Sequence, residues 1–331
     1  MNAATCIVFE AAESIALRDV YLPDPGSGEV LVRTDYSAVS PGTERRVLSG
    51  DQPGSRFPLV PGYSSAGVVI KTRSDQFAEG DRVVLGGGDL PDELQRLWGG
   101  HASASLCVAS DVRQIPDGVE LVEASLSKMA AIASHGVDRA TPQPGERVLV
   151  LGLGLIGQIA SRLFHIECET VAADVSPSRC RKAVDAGLNA IVIEPGLDKP
   201  LGEDAVERFG YFDIICDATG VERVLPHAIS LLKSRDWGTR TLPPRYLIQG
   251  SYPGDFSIPY NLAFMVETTF LLPRDEGPAA RKRVLRLMSE GRLRLDDLYG
   301  TPFCPAEADS AYAAAFETRG KRATSVFDWT D

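Results

Sequence analysis

The chain has 331 residues, 44% of them apolar and 24% charged, a balance that excludes fibrous and disordered classes and predicts a globular protein. That length exceeds the usual size of one domain, so two compact units are expected. A formal net charge of −11 argues against nucleic acid as a partner, because such surfaces cluster Lys and Arg to neutralise phosphates.

No uncharged apolar run approaches the roughly 18 to 20 residues that span a bilayer, and the N-terminus lacks the basic start and apolar stretch of a signal peptide. The expected setting is therefore the cytoplasm, with no membrane partner. Cys6, Cys107, Cys168, Cys180, Cys216 and Cys304 lie far apart with no C-x-x-C pair, which disfavours a disulfide framework and a cysteine-rich zinc site.

In chain order, the first part reads as short strands at 5–9, 29–37, 65–71, 82–85 and 104–108, broken by turn clusters such as Pro23-Asp24-Pro25-Gly26. Helical spacing takes over at 121–140. From Arg147 onward, apolar runs of strand length (147–151, 170–174, 190–193, 214–217, 245–249) alternate with amphipathic segments, the βαβ pattern of a parallel sheet. Helices are expected at 157–166, at 177–186 with Gly187 as its stop, and at 281–290 closed by Gly291. The charged, Gly- and Pro-containing stretch 233–244 reads as a connecting surface loop.

Strand 147–151 runs directly into Gly152-Leu153-Gly154-Leu155-Ile156-Gly157, and a helix follows at once. In that context each glycine has a task. Gly152 permits the tight turn, Gly154 lets the backbone approach a pyrophosphate, and Gly157 lets the helix pack on the strand. The free N–H groups of the helix start, at Leu155 and Ile156, then face the phosphates.

The next strand ends in Ala172-Ala173-Asp174, which puts a carboxylate about 20 residues beyond the first glycine, where the ribose hydroxyls of a dinucleotide are bonded. Asp174 would repel a 2′-phosphate, so NAD(H) is expected ahead of NADP(H). Arg179 and Arg181 on the following helix keep NADP(H) open as an alternative. Thr219 and Gly220, closing strand 214–217, and Gly250, with Ser251 and Tyr252 after strand 245–249, are expected near the cofactor, because ligands sit at the carboxyl ends of such strands.

With those residues in place, the chain resembles the medium-chain dehydrogenase/reductase superfamily along nearly its whole length. The segments that carry the likeness are Tyr36-Ser-Ala-Val-Ser-Pro-Gly-Thr-Glu44, Val60-Pro-Gly-Tyr-Ser-Ser-Ala-Gly67, Gly80-Asp-Arg-Val83 and the glycine turn. The wording of the first two is similar to the zinc-free subgroup that includes bacteriochlorophyllide hydroxyethyl dehydrogenase-like proteins.

The resemblance implies an α/β architecture, a GroES-like β-rich domain over 1–128 joined to a Rossmann doubly wound parallel-sheet domain over 129–272, with 273–331 returning to the first. It also implies an NAD(P)-dependent oxidoreductase acting on a small molecule, and a homodimer paired through the apolar segment 264–272, expected to be β-rich. In zinc-dependent relatives the motif positions that here hold Pro41, Tyr63, Ser64 and Lys128 supply metal ligands. None of these is a thiolate, imidazole or carboxylate, so no catalytic zinc is expected, and no cysteine-rich structural-zinc lobe has a counterpart.

Something else must then stabilise charge on the reacting oxygen. Tyr63 can donate a proton or hydrogen bond, an ammonium at Lys128 would favour its anion, and Thr43 stands where relatives keep a hydroxyl relay. Tyr63 as a pocket wall and Lys128 as a partner of Glu123 are the structural alternatives. Glu44 reads as a structural carboxylate, and His101 and His135 as hydrogen-bonded packing residues. The expected reaction is interconversion of a secondary alcohol and a ketone by hydride transfer. Reduction of an activated C=C bond, and cofactor binding without turnover, stay open.

Overall fold

The computed structural model describes residues 2–91, 93–194, 203–235, 238, 242–252, 254–277, 279–317 and 322–330. Their contacts form two compact units, Met1–Met129 with Arg281–Asp331, and Ala130–Ala280.

The chain opens on an antiparallel hairpin, Asn2–Ala11 (β1) and Ser14–Leu22 (β2). It continues through Glu29–Ala38 (β3), helix Pro41–Ser49 (α1), Leu59–Val60 (β4), Ser65–Thr72 (β5), Arg82–Leu85 (β6), Gln95–Arg96 (β7), Ala104–Val108 (β8) and Arg113–Gln114 (β9). Two helices follow, Leu121–Ala124 (α2) and Ser127–Ala140 (α3). The βα alternation then runs Arg147–Leu151 (β10), Leu155–His165 (α4), Glu169–Asp174 (β11), Pro177–Asp185 (α5), Asn189–Val192 (β12), Glu203–Phe209 (α6), Ile214–Asp217 (β13), Val224–Ala228 (α7) and Arg245–Ile248 (β14). Tyr260–Met265 (α8), Thr269–Leu271 (β15), Ala280–Ser289 (α9), Ala308–Phe316 (α10) and Val326–Asp328 (β16) complete it.

The first unit is the GroES-like one. Its two sheets are ordered β2-β1-β4-β7 and β16-β3-β5-β6-β9, with β8 also pairing β3. Strand β3 is the hub, bonded antiparallel to β5, β8 and β16, and Val30, Leu31 and Val32 are fully buried. The last strand and α10 enclose one core of this unit, where Tyr312, Ala311 and Phe327 pack with Ile7, Phe9, Val39 and Leu59. Residues near the end of the sequence thus complete a core begun at its start.

The second unit is a Rossmann sheet. Its described strands are all parallel, in the order β12-β11-β10-β13-β14-β15. The order reverses between β10 and β13, the switch point outside which dinucleotides bind. A parallel strand covered on both faces must be apolar throughout, and Val148, Leu149 and Val150 of β10 are fully buried. Each such side chain contributes about 1.5 to 3 kcal/mol over an exposed one.

Several boundaries differ from the sequence expectation. The helix after the glycine turn starts at Leu155 rather than 157, because Gly154 already serves as its N-cap in extended backbone at φ −67°, ψ −170°. The segment 264–272 is only partly strand. Phe264 and Met265 end α8, where Tyr260 stacks on Phe264 one turn away with ring centroids 5.5 Å apart. Glu267, at φ 51°, then turns the chain before β15. Of the expected loop 233–244, residues 236, 237 and 239–241 lie outside the described residues, and the others carry no helix or strand. No helix among the described residues is long and apolar enough to cross a membrane.

All six cysteines are free, five of them buried and Cys304 exposed. Burial pushes the Cys6 thiol from an ordinary 9.0 up to about 12, and Cys168, further raised by Glu146, to about 11. Ellman's reagent at pH 8 is therefore expected to titrate Cys304 alone until the protein unfolds, and Cys304→Ser to abolish the fast phase. Because both raised thiols keep their protons in the folded state, their contribution to stability is intact below pH 9 and is lost as the pH climbs toward 11 to 12.

Candidate active site

In the second unit the glycines differ in why they are needed. Gly152 sits at φ +84°, and a Cβ there would stand 2.9 Å from the Thr219 backbone. At Gly157 a Cβ would stand 1.7 Å from the Gly152 carbonyl oxygen, so the start of α4 lies directly on the turn. Gly154 is the opposite case. A Cβ there meets nothing within 4 Å, so no contact within the protein requires glycine, and the open space is what a bound phosphate would fill.

The first i→i−4 bond of the helix start runs from Gln158 N–H to the Gly154 carbonyl, 2.9 Å. The N–H groups of Leu155, Ile156 and Gly157 thus fall among the first-turn donors that a helix cannot itself satisfy. Together with the positive end of the helix dipole they suit a pyrophosphate.

Asp174 ends β11, nearly buried. Its carboxylate accepts from Leu153 N–H at 2.6 Å and Ser176 N–H at 2.7 Å. It also pairs with Arg179, Nη1 to Oδ2 at 3.6 Å. The sequence pattern alone suits a solvated helix face at Arg179; the fold instead brings it to Asp174. A carboxylate has about four lone-pair sites, so Asp174 can brace the glycine turn and still accept from a sugar hydroxyl.

Thr219 and Gly220 follow β13, where Asp217 accepts from both N–H and Oγ1 of Thr219, at 2.9 and 2.6 Å. Tyr246 donates to the other carboxylate oxygen of Asp217 at 2.9 Å. Burial first, and the Asp217 charge second, hold the Tyr246 phenol well above its ordinary range, so it remains a donor. Gly250 is also demanded by packing, since a Cβ would stand 2.6 Å from Gly220 N. Tyr252 packs on Phe256 with centroids 5.5 Å apart. A nicotinamide dinucleotide suits these residues: the glycine turn leaves room for the pyrophosphate and Asp174 offers an acceptor for the ribose.

In the first unit a group of hydroxyls converges. Tyr63, almost buried, donates to Ser40 Oγ at 2.5 Å, and Thr43 Oγ1 lies 3.5 Å from the same phenol oxygen. Trp98 meets the Tyr63 ring edge-on with centroids 5.0 Å apart. The geometry follows from local structure. Ser40 is the N-cap residue of α1, Pro41 opens the helix, and Thr43 lies in its first turn.

Sequence reasoning points to Tyr63 and Thr43 but misses Ser40 and Trp98. The signal for Ser40 is its place just before Pro41 in the first motif, whereas nothing in the sequence marks Trp98. Lys128 is the second residue of α3 and half-buried. Glu123 accepts from Leu295 N–H at 2.6 Å.

The positions at which the resemblance leads one to expect zinc ligands hold Pro41, Tyr63, Ser64 and Lys128. Ser64 donates to the Ser125 carbonyl. Among the described residues no group of three or more His, Cys, Asp or Glu could hold a metal ion. The donor set therefore does not fit Zn²⁺.

The alcohol dehydrogenase GroES-like domain family matches residues 26–117. Over 333 residues, covering 98% of both chains, this protein is 29% identical to 2-desacetyl-2-hydroxyethyl bacteriochlorophyllide A dehydrogenase of Rhodobacter capsulatus. Among solved structures, 2R,3R-butanediol dehydrogenase from Bacillus subtilis superposes with a TM-score of 0.84 at 18% identity, covering 98% of this chain and 99% of that one. Acetophenone reductase from Geotrichum candidum in complex with NAD superposes with a TM-score of 0.82, also at 18% identity, covering 99% and 98%. Residues 26–117 thus match the alcohol dehydrogenase GroES-like domain, and along its whole length the chain is similar to medium-chain dehydrogenases/reductases. It is accordingly a nicotinamide-dependent oxidoreductase.

Proposed function

We propose that this enzyme interconverts a secondary alcohol and the matching ketone with NAD(H), without zinc, using Tyr63 as the proton donor and acceptor at the substrate oxygen. The observation that carries it is the Tyr63–Ser40–Thr43 hydroxyl group, which stands at motif positions where zinc-dependent relatives place metal ligands and a proton relay. The activities named for the similar proteins fit that chemistry: 2R,3R-butanediol carries secondary alcohols and acetophenone is an aryl ketone.

The bound nicotinamide supplies or takes the hydride. The chain's own residues do the rest. Gly152, Gly154, Leu155, Ile156 and Gly157 seat the pyrophosphate, Asp174 and Arg179 take the adenosine ribose, and Thr219 and Gly250 border the nicotinamide end. When a ketone is reduced, Tyr63 gives its proton to the developing alkoxide and takes one back from the Ser40 or Thr43 hydroxyl, which solvent reprotonates. The Lys128 ammonium stabilises the transient phenolate. Asp174 makes NAD(H) the preferred cofactor through repulsion of a 2′-phosphate.

The test is a panel of secondary alcohols with NAD⁺ or NADP⁺, and of ketones and enones with the reduced forms, run in EDTA and after metal analysis. Turnover of alcohols and ketones, undiminished by chelation and favouring NAD⁺ over NADP⁺, is expected. Activity that EDTA abolishes and zinc restores would overturn zinc independence, and activity confined to enones would move the enzyme to C=C reduction.

We also propose a homodimer through the outer strand β15. It lies at the edge of the described sheet, and the adjoining Tyr260, Phe264, Met265 and Leu272 are all exposed apolar side chains. Such a patch beside an unpaired strand edge is a pairing surface. Light scattering is expected to give about twice the chain mass of 35.6 kDa; a monomer across the micromolar range would refute it.

A further inference from the structure

Beneath the hydroxyl group of the first unit lies a second polar network in which every side chain is buried. The Glu44 and His101 side chains are both fully inaccessible. Glu44 Oε1 accepts from Ser40 N–H at 2.7 Å. Its Oε2 accepts from Tyr312 Oη–H at 2.8 Å and faces His101 Nε2 at 2.9 Å. His101 Nδ1 lies 2.8 Å from Ser37 Oγ, which in turn accepts from the Trp329 indole N–H at 2.8 Å.

The donors fix the direction of this chain. An indole N–H only donates and a carboxylate only accepts, so Ser37 receives the Trp329 bond and a neutral His101 ring must face Glu44 with its N–H, leaving Nδ1 to accept from the Ser37 hydroxyl. Imidazole Nε2 then carries the hydrogen that points at Glu44. The Tyr312 phenol is held well above its ordinary range, by burial first and by Glu44 second, so it too donates. With Nε2–H on the ring and a carboxylate at Glu44, every polar atom of the network is satisfied, as a buried cluster requires.

The network grips both partners of the Tyr63–Ser40 hydrogen bond. On one side, Glu44 fixes the Ser40 backbone through Oε1. On the other, the His101 ring lies against Gly62, the residue before Tyr63. A Cβ at Gly62 would stand 2.6 Å from His101 Cδ2, and Gly62 itself is at φ +84°. The same loop is laced by His101 N–H to the Pro61 carbonyl at 3.1 Å and Gly100 N–H to the Gly62 carbonyl at 2.8 Å. Two segments distant in sequence, 40–44 and 61–63, therefore meet at the phenol because one imidazole–carboxylate pair holds each.

We propose that His101 and Glu44 are a positioning pair that sets the Tyr63 phenol against Ser40. This rests on Tyr63 being the proton-transfer group proposed above, but the geometry it describes can be tested without any substrate. The experiment uses the full-length protein labelled with tyrosine carrying ¹³C at Cζ, the Tyr63 resonance being assigned by its loss in Tyr63→Phe.

His101→Phe keeps a ring against Gly62 and removes both side-chain hydrogen bonds; it is expected to shift and broaden the Tyr63 resonance. His101→Gln, which retains an N–H toward Glu44, is expected to restore most of the wild-type position, and Glu44→Gln to shift it even if His101→Phe fails to fold. NADH binding by the second unit should be unchanged in every folded variant. A Tyr63 resonance that stays at its wild-type position in the folded variants overturns the proposal. A shift in His101→Phe together with wild-type turnover in Tyr63→Phe leaves the positioning pair standing and removes Tyr63 from the chemistry.

Discussion

Gly157→Ala is expected to weaken NADH binding by about 10- to 100-fold and to lower stability by about 1 to 3 kcal/mol, the cost of forcing a methyl group into a closed contact. The added carbon would stand 1.7 Å from the Gly152 carbonyl oxygen. Backbone on both sides means that no flexible side chain can yield, so α4 must lift from the turn and carry its first N–H groups with it. Gly154→Ala provides the contrast. Its backbone is at φ −67°, ψ −170°, which alanine adopts freely, and the methyl group would meet nothing in the protein within 4 Å. Its melting temperature should match wild type while NADH affinity falls, because the methyl would occupy the space in which the proposed site seats the pyrophosphate. Calorimetric titration with NADH, paired with thermal melts, separates the two variants. Undiminished binding in Gly154→Ala would show that the phosphates do not lie over this turn.

The parts of this protein that can be read from sequence are those in which cause and effect are neighbours in the chain. The glycine turn, the strand leading into it and the helix leaving it occupy one short stretch, and Asp174 follows after a single helix, so the candidate dinucleotide site is legible in the residues alone. The same locality exposes Thr43 and Tyr63, each inside a motif. Locality fails for His101. Its acceptor Glu44 is 57 positions away, the Tyr312 that shares that carboxylate is 268 away from it, and Trp329 is 292 from Ser37. The last two pairings are created by α10 closing the core and β16 docking on β3, and neither has a periodic signature. As a lone histidine, His101 reads correctly as a hydrogen-bonded packing residue, but what it braces is set by tertiary register. Segment 264–272 departs from its expected strand for a related reason. A short apolar run fits helix or strand equally well, and Tyr260 stacking on Phe264 one helical turn away favours helix at its first residues.

Tyr63→Phe is expected to lower the single-turnover hydride-transfer rate by about 100-fold or more, the usual worth of a positioned general acid, with little change in NADH affinity. Phenylalanine keeps the ring that meets Trp98 edge-on, so the pocket wall survives. What disappears is the phenol oxygen, and with it the bond to Ser40 Oγ at 2.5 Å and the approach of Thr43 at 3.5 Å. Loss of one such hydrogen bond costs about 0.5 to 1.5 kcal/mol of stability, too little to unfold a domain, so a kinetic defect can be read without ambiguity. Lys128→Ala should reduce the same rate while leaving NADH binding nearly intact, because the proposed role of the ammonium is to stabilise charge at Tyr63 rather than to hold the cofactor. Stopped-flow decay of NADH absorbance, with whichever ketone the substrate panel selects, measures both variants against wild type. Rates close to wild type in the pair would leave Tyr63 as a pocket wall and Lys128 as a structural cation, and the proton would have to travel by another group.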